Sequence, residues 1–261
     1  MAKVDQPKAK AGLPEAGRAA SEGPARPEKV SSIVARRIAR EIVERDLEPG
    51  ALLEPEAAMM EHFGVSRASL REGLRILETL GLVQIRPGPG GGPSVAALES
   101  ADFGRVATLY FQIMGARLAD VIEARLTIEP VMASLAATRH DPAMNDDLRE
   151  SMSRHYDTKD DAEWRAVTDN FHSLICSMSG NPLLNLLARA LKDIYTERVS
   201  GLVFPEEKRD HVRATHEEIT VAIEGGHAET AERLMRDHMR AYADYFADRY
   251  PGLMDELVDW R

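Results

Sequence analysis

The chain has 261 residues, 44% of them hydrophobic and 29% charged, with one cysteine and a formal net charge of −10. That length accommodates two domains of ordinary size, and the composition is that of a soluble globular protein. No apolar run reaches the ~18–20 residues a membrane span needs, and Cys176 alone excludes an intrachain disulfide. A cytoplasmic chain without a secretory leader is therefore expected.

The charge is unevenly spread. Residues 1–27 carry five Lys/Arg against three acids, residues 28–95 nine against ten, and residues 96–261 nineteen against thirty. The acidity thus belongs to the C-terminal two thirds. A near-neutral N-terminal part remains able to meet an anionic partner through locally placed arginines.

In chain order, residues 1–27 are rich in Ala, Pro, Gly and Lys without hydrophobic periodicity and read as a disordered tail. A helix starts near Ser31, with Ile33, Val34, Ile38, Ile42 and Val43 as its apolar stripe, and ends at Pro49-Gly50. A short helix follows over 56–63. After Gly64, Ser66 offers an N-cap to a helix over 66–80. On this helix Arg67, Arg71 and Arg75 recur every four residues, while Leu70, Leu74 and Leu77 take another face. Gly81 suits its C-terminal cap. Residues 82–86 read as a strand, the Gly/Pro run 87–93 as a turn and 94–96 as the returning strand.

Helix, glycine turn, arginine-bearing helix and hairpin wing make a winged helix-turn-helix, whose second helix enters the major groove of DNA. From residue 101 onward the pattern is helical, with candidate helices over 101–115, 118–139, 143–157, 160–179, 183–200, 206–224 and 227–249. Asn181 is placed to cap the helix that opens at Pro182. Pro130 costs its helix one backbone donor and should kink it. The expected fold is mainly α. It has a disordered tail over 1–27, a winged helix-turn-helix over 28–96, an all-α bundle of six to seven helices over 101–249 and a C-terminal tail over 250–261.

Pro49-Gly50, Gly64-Val65-Ser66-Arg67, Leu70-Arg71-Glu72, Leu77-Glu78, Gly81-Leu82-Val83 and the glycine-rich wing resemble the GntR family of bacterial transcription regulators. Glu123-Ala124-Arg125 with Glu129, Phe171-His172, Ser179-Gly180-Asn181-Pro182, His216 with Ile219 and Ala222-Ile223, and His238 resemble the FCD effector domain of its FadR branch. The resemblance implies a homodimer, not an enzyme. Such a dimer binds a short palindromic double-stranded operator and, when a small molecule binds, releases it or, less often, grips it. A repressor is the expected form.

The resemblance places Arg67 and Arg71 on the DNA-reading helix, where a guanidinium can bridge guanine O6 and N7 or clasp phosphate. A solvated face pairing with Glu72 and Glu78 is the competing reading, and for Arg75 it is the stronger one. Ser66 and Ser69 cap the helix or bond phosphate. Gly88 and Gly90 let the wing tip approach the minor groove or simply make a tight turn. Many family members carry an arginine after the glutamate of the short helix; here Ala57 follows Glu56, so one contact is missing.

Spacing alone does not signal a metal, since His172, His216 and His238 lie on three separate helices. The resemblance changes this: many FCD domains hold a divalent ion, such as zinc, nickel or manganese, through three histidines at these positions and an acid four residues before the first. Here that position is Thr168, and Asp169 is the nearest substitute. Arg125 either faces the effector cavity, suiting a small carboxylate, or forms a buried ion pair with Glu123 or Glu129. A metal-dependent helical enzyme and a ligand-free helical adaptor are the alternatives; the first lacks a clear general base.

Overall fold

The computed structural model describes residues 28–88, 90–158, 160–199 and 205–259. The expected disordered tail over 1–27 lies outside them. The first domain comprises α1 (Val30–Glu44), α2 (Glu56–Phe63), α3 (Arg67–Thr79) and the antiparallel hairpin β1 (Val83–Arg86) and β2 (Gly92–Val95). Its core is Val34, Ala35 and Ile38 of α1, Met59 and Phe63 of α2, Leu70, Leu74 and Leu77 of α3, and Val83 of β1. The leucine stripe of α3 thus faces inward, which leaves its arginine row to solvent.

Gly64, at φ 66°, ends α2 in the left-handed conformation that glycine adopts without strain, and this turn sets α3 across α2. The hairpin pairs Val83 with Val95 and Arg86 with Gly92. The stretch after α1 also joins this edge: Gly50 donates to the Val95 carbonyl at 2.8 Å and Leu53 to that of Pro93 at 2.9 Å. The wing is thereby tied back to its domain.

The second domain is α4 (Ser100–Met114), α5 (Leu118–Arg139), α6 (Pro142–Asp157), α7 (Asp161–Met178), α8 (Pro182–Val199), α9 (Glu206–Glu224), α10 (Ala228–Arg249) and α11 (Pro251–Met254). α5 is the central rod, packed by α7, α8, α9 and α10, with α6 against α7 and α9 and α4 on α8. It stays helical through the buried Pro130. Asn181 Oδ1 accepts from the amides of Leu183 and Leu184, so α8 opens as expected. One core gathers Ala133, Leu148, Met152, Phe171, Ile175, Ile219, Ile223 and Met235; a second gathers Leu118, Val121, Ile122, Tyr195 and Phe246.

The segment over residues 250–259, part of the expected C-terminal tail, packs onto the helical domain. It forms α11, and the Val258 amide then donates to the Ala116 carbonyl at 2.9 Å while its side chain is only 1% exposed. The Leu118 amide in turn donates to Glu256. The α5 start and the chain end close on each other, capping the second core.

Candidate functional site

Two sites carry the expected chemistry. On α3, Arg67, Arg71 and Arg75 are all exposed along one face. Ser66 is the N-cap, its hydroxyl accepting from the Ser69 amide at 3.3 Å. Neither Arg67 nor Arg75 forms an ion pair among the described residues; the expected pairing of the row with Glu72 and Glu78 does not occur. Arg71 does pair, its Nε donating to Glu56 of α2 at 3.3 Å, with the side chain still 65% exposed. Gly88 and Gly90 sit at the wing tip with φ of 102° and 76°, conformations that favour glycine.

The second site lies inside the helical domain. His172 comes from α7, His216 from α9 and His238 from α10, and one nitrogen of each falls within 4.8 Å of the others. All three rings are buried. His216 Nε2 stands 3.1 Å from His238 Nε2, which stands 3.4 Å from His172 Nε2. Nitrogens each about 2.0–2.1 Å from a zinc-type ion at a tetrahedral angle are about 3.3 Å apart. The His216–His238 and His238–His172 separations match that spacing.

Hydrogen bonds behind the rings fix which nitrogen is bare. His172 Nδ1 donates to Glu129 Oε2 at 2.6 Å, and Arg125 Nε donates to Glu129 Oε1 at 2.6 Å. Burial alone would raise the Glu129 carboxyl; the Arg125 guanidinium, with His172, more than reverses this and holds it well below the usual carboxylate range. Glu129 is thus an acceptor only, and His172 turns its Nε2 toward the cluster. Burial, reinforced by neighbouring histidines, drives His216 well below its ordinary value and His238 to about 3. Both are neutral near pH 7, the form that ligates metals.

Beside the cluster is a cavity of about 60 Å³, walled by Arg125, Thr168, Asp169, His172, Tyr195 and His238 among others. Thr168 Oγ1 is buried with no partner. Arg125 pairs with Glu129 and also lines the cavity. Asp169 lines the cavity too, but stands outside the group of converging donors, and its carboxylate accepts from Thr196 at 3.1 Å. The reason is angular. A residue three before His172 is turned about 60° from it, whereas Thr168, four before, is turned only about 40°. Sequence reading missed the hydrogen bond of Glu129 to His172, and it missed His155 of α6 altogether: no spacing pattern links either to the cluster.

A winged helix-turn-helix with an exposed arginine row, joined to a helical domain with a cavity beside a histidine cluster, defines a DNA-binding transcription regulator. The model of bacterial regulatory proteins of the gntR family matches residues 31–91, and that of the FCD domain residues 120–241. The chain belongs to the GntR family of transcriptional regulators and carries an FCD domain. The transcriptional regulator RmpR of Mycobacterium gastri is 30% identical over 82% of this chain and 78% of its own length. LutR of Bacillus subtilis is 26% identical over 82% and 97%, and the Glc operon transcriptional activator of Escherichia coli K12 26% over 81% and 86%. Among solved structures, a GntR protein of Streptococcus agalactiae superposes with a TM-score of 0.63 at 23% identity, covering 82% of this chain and 99% of that one. Family and relatives are regulators, not enzymes. No helix among the described residues is long and apolar enough to cross a membrane.

Proposed function

We propose that the chain works as a homodimeric repressor whose grip on a palindromic operator is changed by a small carboxylate bound beside a divalent metal in the helical domain. The observation that carries this reading is the convergence of three buried imidazole rings beside a cavity that also presents Arg125 and the unpartnered Thr168 hydroxyl. His172, His216 and His238 would hold the ion, with zinc, nickel and manganese the candidates. Asp169, on the same wall, is the acid available to complete the set. The ion would supply a Lewis-acid site for an oxygen ligand.

This chain's own groups do the rest. Arg125 offers a cationic fork whose Nε is already used by Glu129, leaving its terminal nitrogens for a carboxylate. Thr168 offers a hydroxyl. A cationic fork and a metal with an open position would attract the same oxyanion, which favours an organic acid over a sugar or an aromatic. On the DNA side, Arg67 and Arg71 read bases, Arg75, Ser66 and Ser69 meet the backbone, and Gly88 lets the wing approach the minor groove. For the acid to act, it must bind two dimer arrangements unequally, with a coupling of about 1–3 kcal/mol. Residues near 93–103, where the linker joins β2 to α4, carry that difference to the DNA domain.

The test is operator binding across a panel of short carboxylates, neutral sugars and aromatics, with wild type and Arg125→Ala. The reading expects a shift with an acid that Arg125→Ala diminishes. If no acid shifts affinity while a sugar or aromatic does, it is wrong.

A further inference from the structure

Behind the three converging histidines lies a fourth, which neither spacing nor family motif singles out. His155 of α6 is fully buried, its ring edge-on to Trp164, Phe171 and His216. Its Nδ1 lies 2.9 Å from the Ser151 carbonyl and its Nε2 lies 3.2 Å from His216 Nδ1. A carbonyl only accepts, so His155 Nδ1 carries the proton. The neutral ring then presents a bare Nε2, and His216 Nδ1 must donate to it. That leaves His216 Nε2 without a proton, aimed at His238. Phe171 stacks on the His216 ring with centroids 3.8 Å apart, so the ring cannot swing to another partner without losing this packing.

We infer that His155 is a positioning residue for the histidine centre: it relays the Ser151 carbonyl to His216 and locks His216 in the tautomer whose Nε2 is free to bind a cation. This rests on the metal reading above. The relay matches the role of Glu129 behind His172, but with a neutral partner in place of an anionic one. His172 and His216 are therefore unequal donors, because a carboxylate behind an imidazole raises its basicity more than an imidazole does. His155 itself is no ligand in this arrangement, since its bare nitrogen is spent on His216.

The relay makes a separable demand on residue type. Leucine at 155 fills space but cannot accept from His216. Glutamine can accept through its carbonyl and donate to Ser151 through its amide. The experiment measures zinc affinity of the full-length protein by competition with a chelator for wild type, His155→Leu and His155→Gln. His155→Leu should weaken zinc about 10–100-fold, as loss of such outer partners does, with His155→Gln recovering most of that loss. In parallel, nitrogen-15 spectra of the metal-free wild type should show His216 protonated at Nδ1. A folded His155→Leu protein that binds zinc as tightly as wild type overturns the inference. So does a His155→Gln protein as impaired as His155→Leu, which would assign the role to ring packing. Should His155→Leu fail to fold, the wild-type spectrum decides: His216 protonated at Nε2 overturns the relay. A wild type that takes up no zinc sinks the metal reading instead, and with it the ligand-positioning role, while the spectrum still tests the hydrogen bonds alone.

Discussion

Replacing Arg125 by methionine should unsettle the helical domain far more than a single lost contact would. The Arg125 and Glu129 side chains are only 6% and 3% exposed, and the guanidinium is bonded directly to that carboxylate. Methionine keeps much of the packing volume but strands the carboxylate, with only the His172 N–H still bonded to it. Removing one partner of a buried pair costs about 3–5 kcal/mol, mostly because the other charge is left uncompensated. At roughly 2–4 °C per kcal/mol for a domain of this size, the melting temperature should fall by about 6–20 °C. Adding Glu129→Gln removes the stranded charge while keeping an acceptor for His172, so the double variant should recover much of the loss. Calorimetry on wild type, both singles and the double closes the cycle. An Arg125→Met protein within about 1 kcal/mol of wild type, or a double variant as unstable as the additive sum, would refute the account of the pair.

Three further outcomes are expected. Arg71→Ala should weaken operator binding by about 1–3 kcal/mol if the guanidinium reads a base, measured by fluorescence anisotropy at fixed salt; unchanged binding by a folded variant removes Arg71 from the interface. Asn181→Ala should cost about 0.5–2 kcal/mol, because the Leu183 and Leu184 amides lose their acceptor, and urea titration reads it. Val258→Ala should cost about 1.5–3 kcal/mol by the same titration; no loss would mean that the chain end does not seal the second core.

What the sequence made legible was punctuation and local periodicity. Ser66, Gly81 and Asn181-Pro182 mark helix ends by chemistry that acts within a few residues, and each stands where that chemistry places it. The 3.6-residue stripe on α3 likewise separates the buried leucines from the arginines before any coordinates are known. Contacts across long separations were not legible. Glu129 meets His172 across 43 residues and His155 meets His216 across 61, and neither pair shares a helix or a motif. The docking of residues 250–258 escaped for the same reason: the stretch carries no clear period, and Val258 is buried because α5 begins beside it. Asp169 illustrates a third limit. Counting residues placed an acid near the three histidines, but its carboxylate is bonded by Thr196 and stands outside their converging group.

The central claim, that His172, His216 and His238 form a metal centre, is met most directly by elemental analysis of protein purified without chelator or nickel resin. The account expects one divalent ion per protomer in the wild type and loss of that ion in a His216→Ala, His238→Ala double variant. A wild type that is metal-free and takes up none in titration, or a double variant that keeps full occupancy, would contradict it.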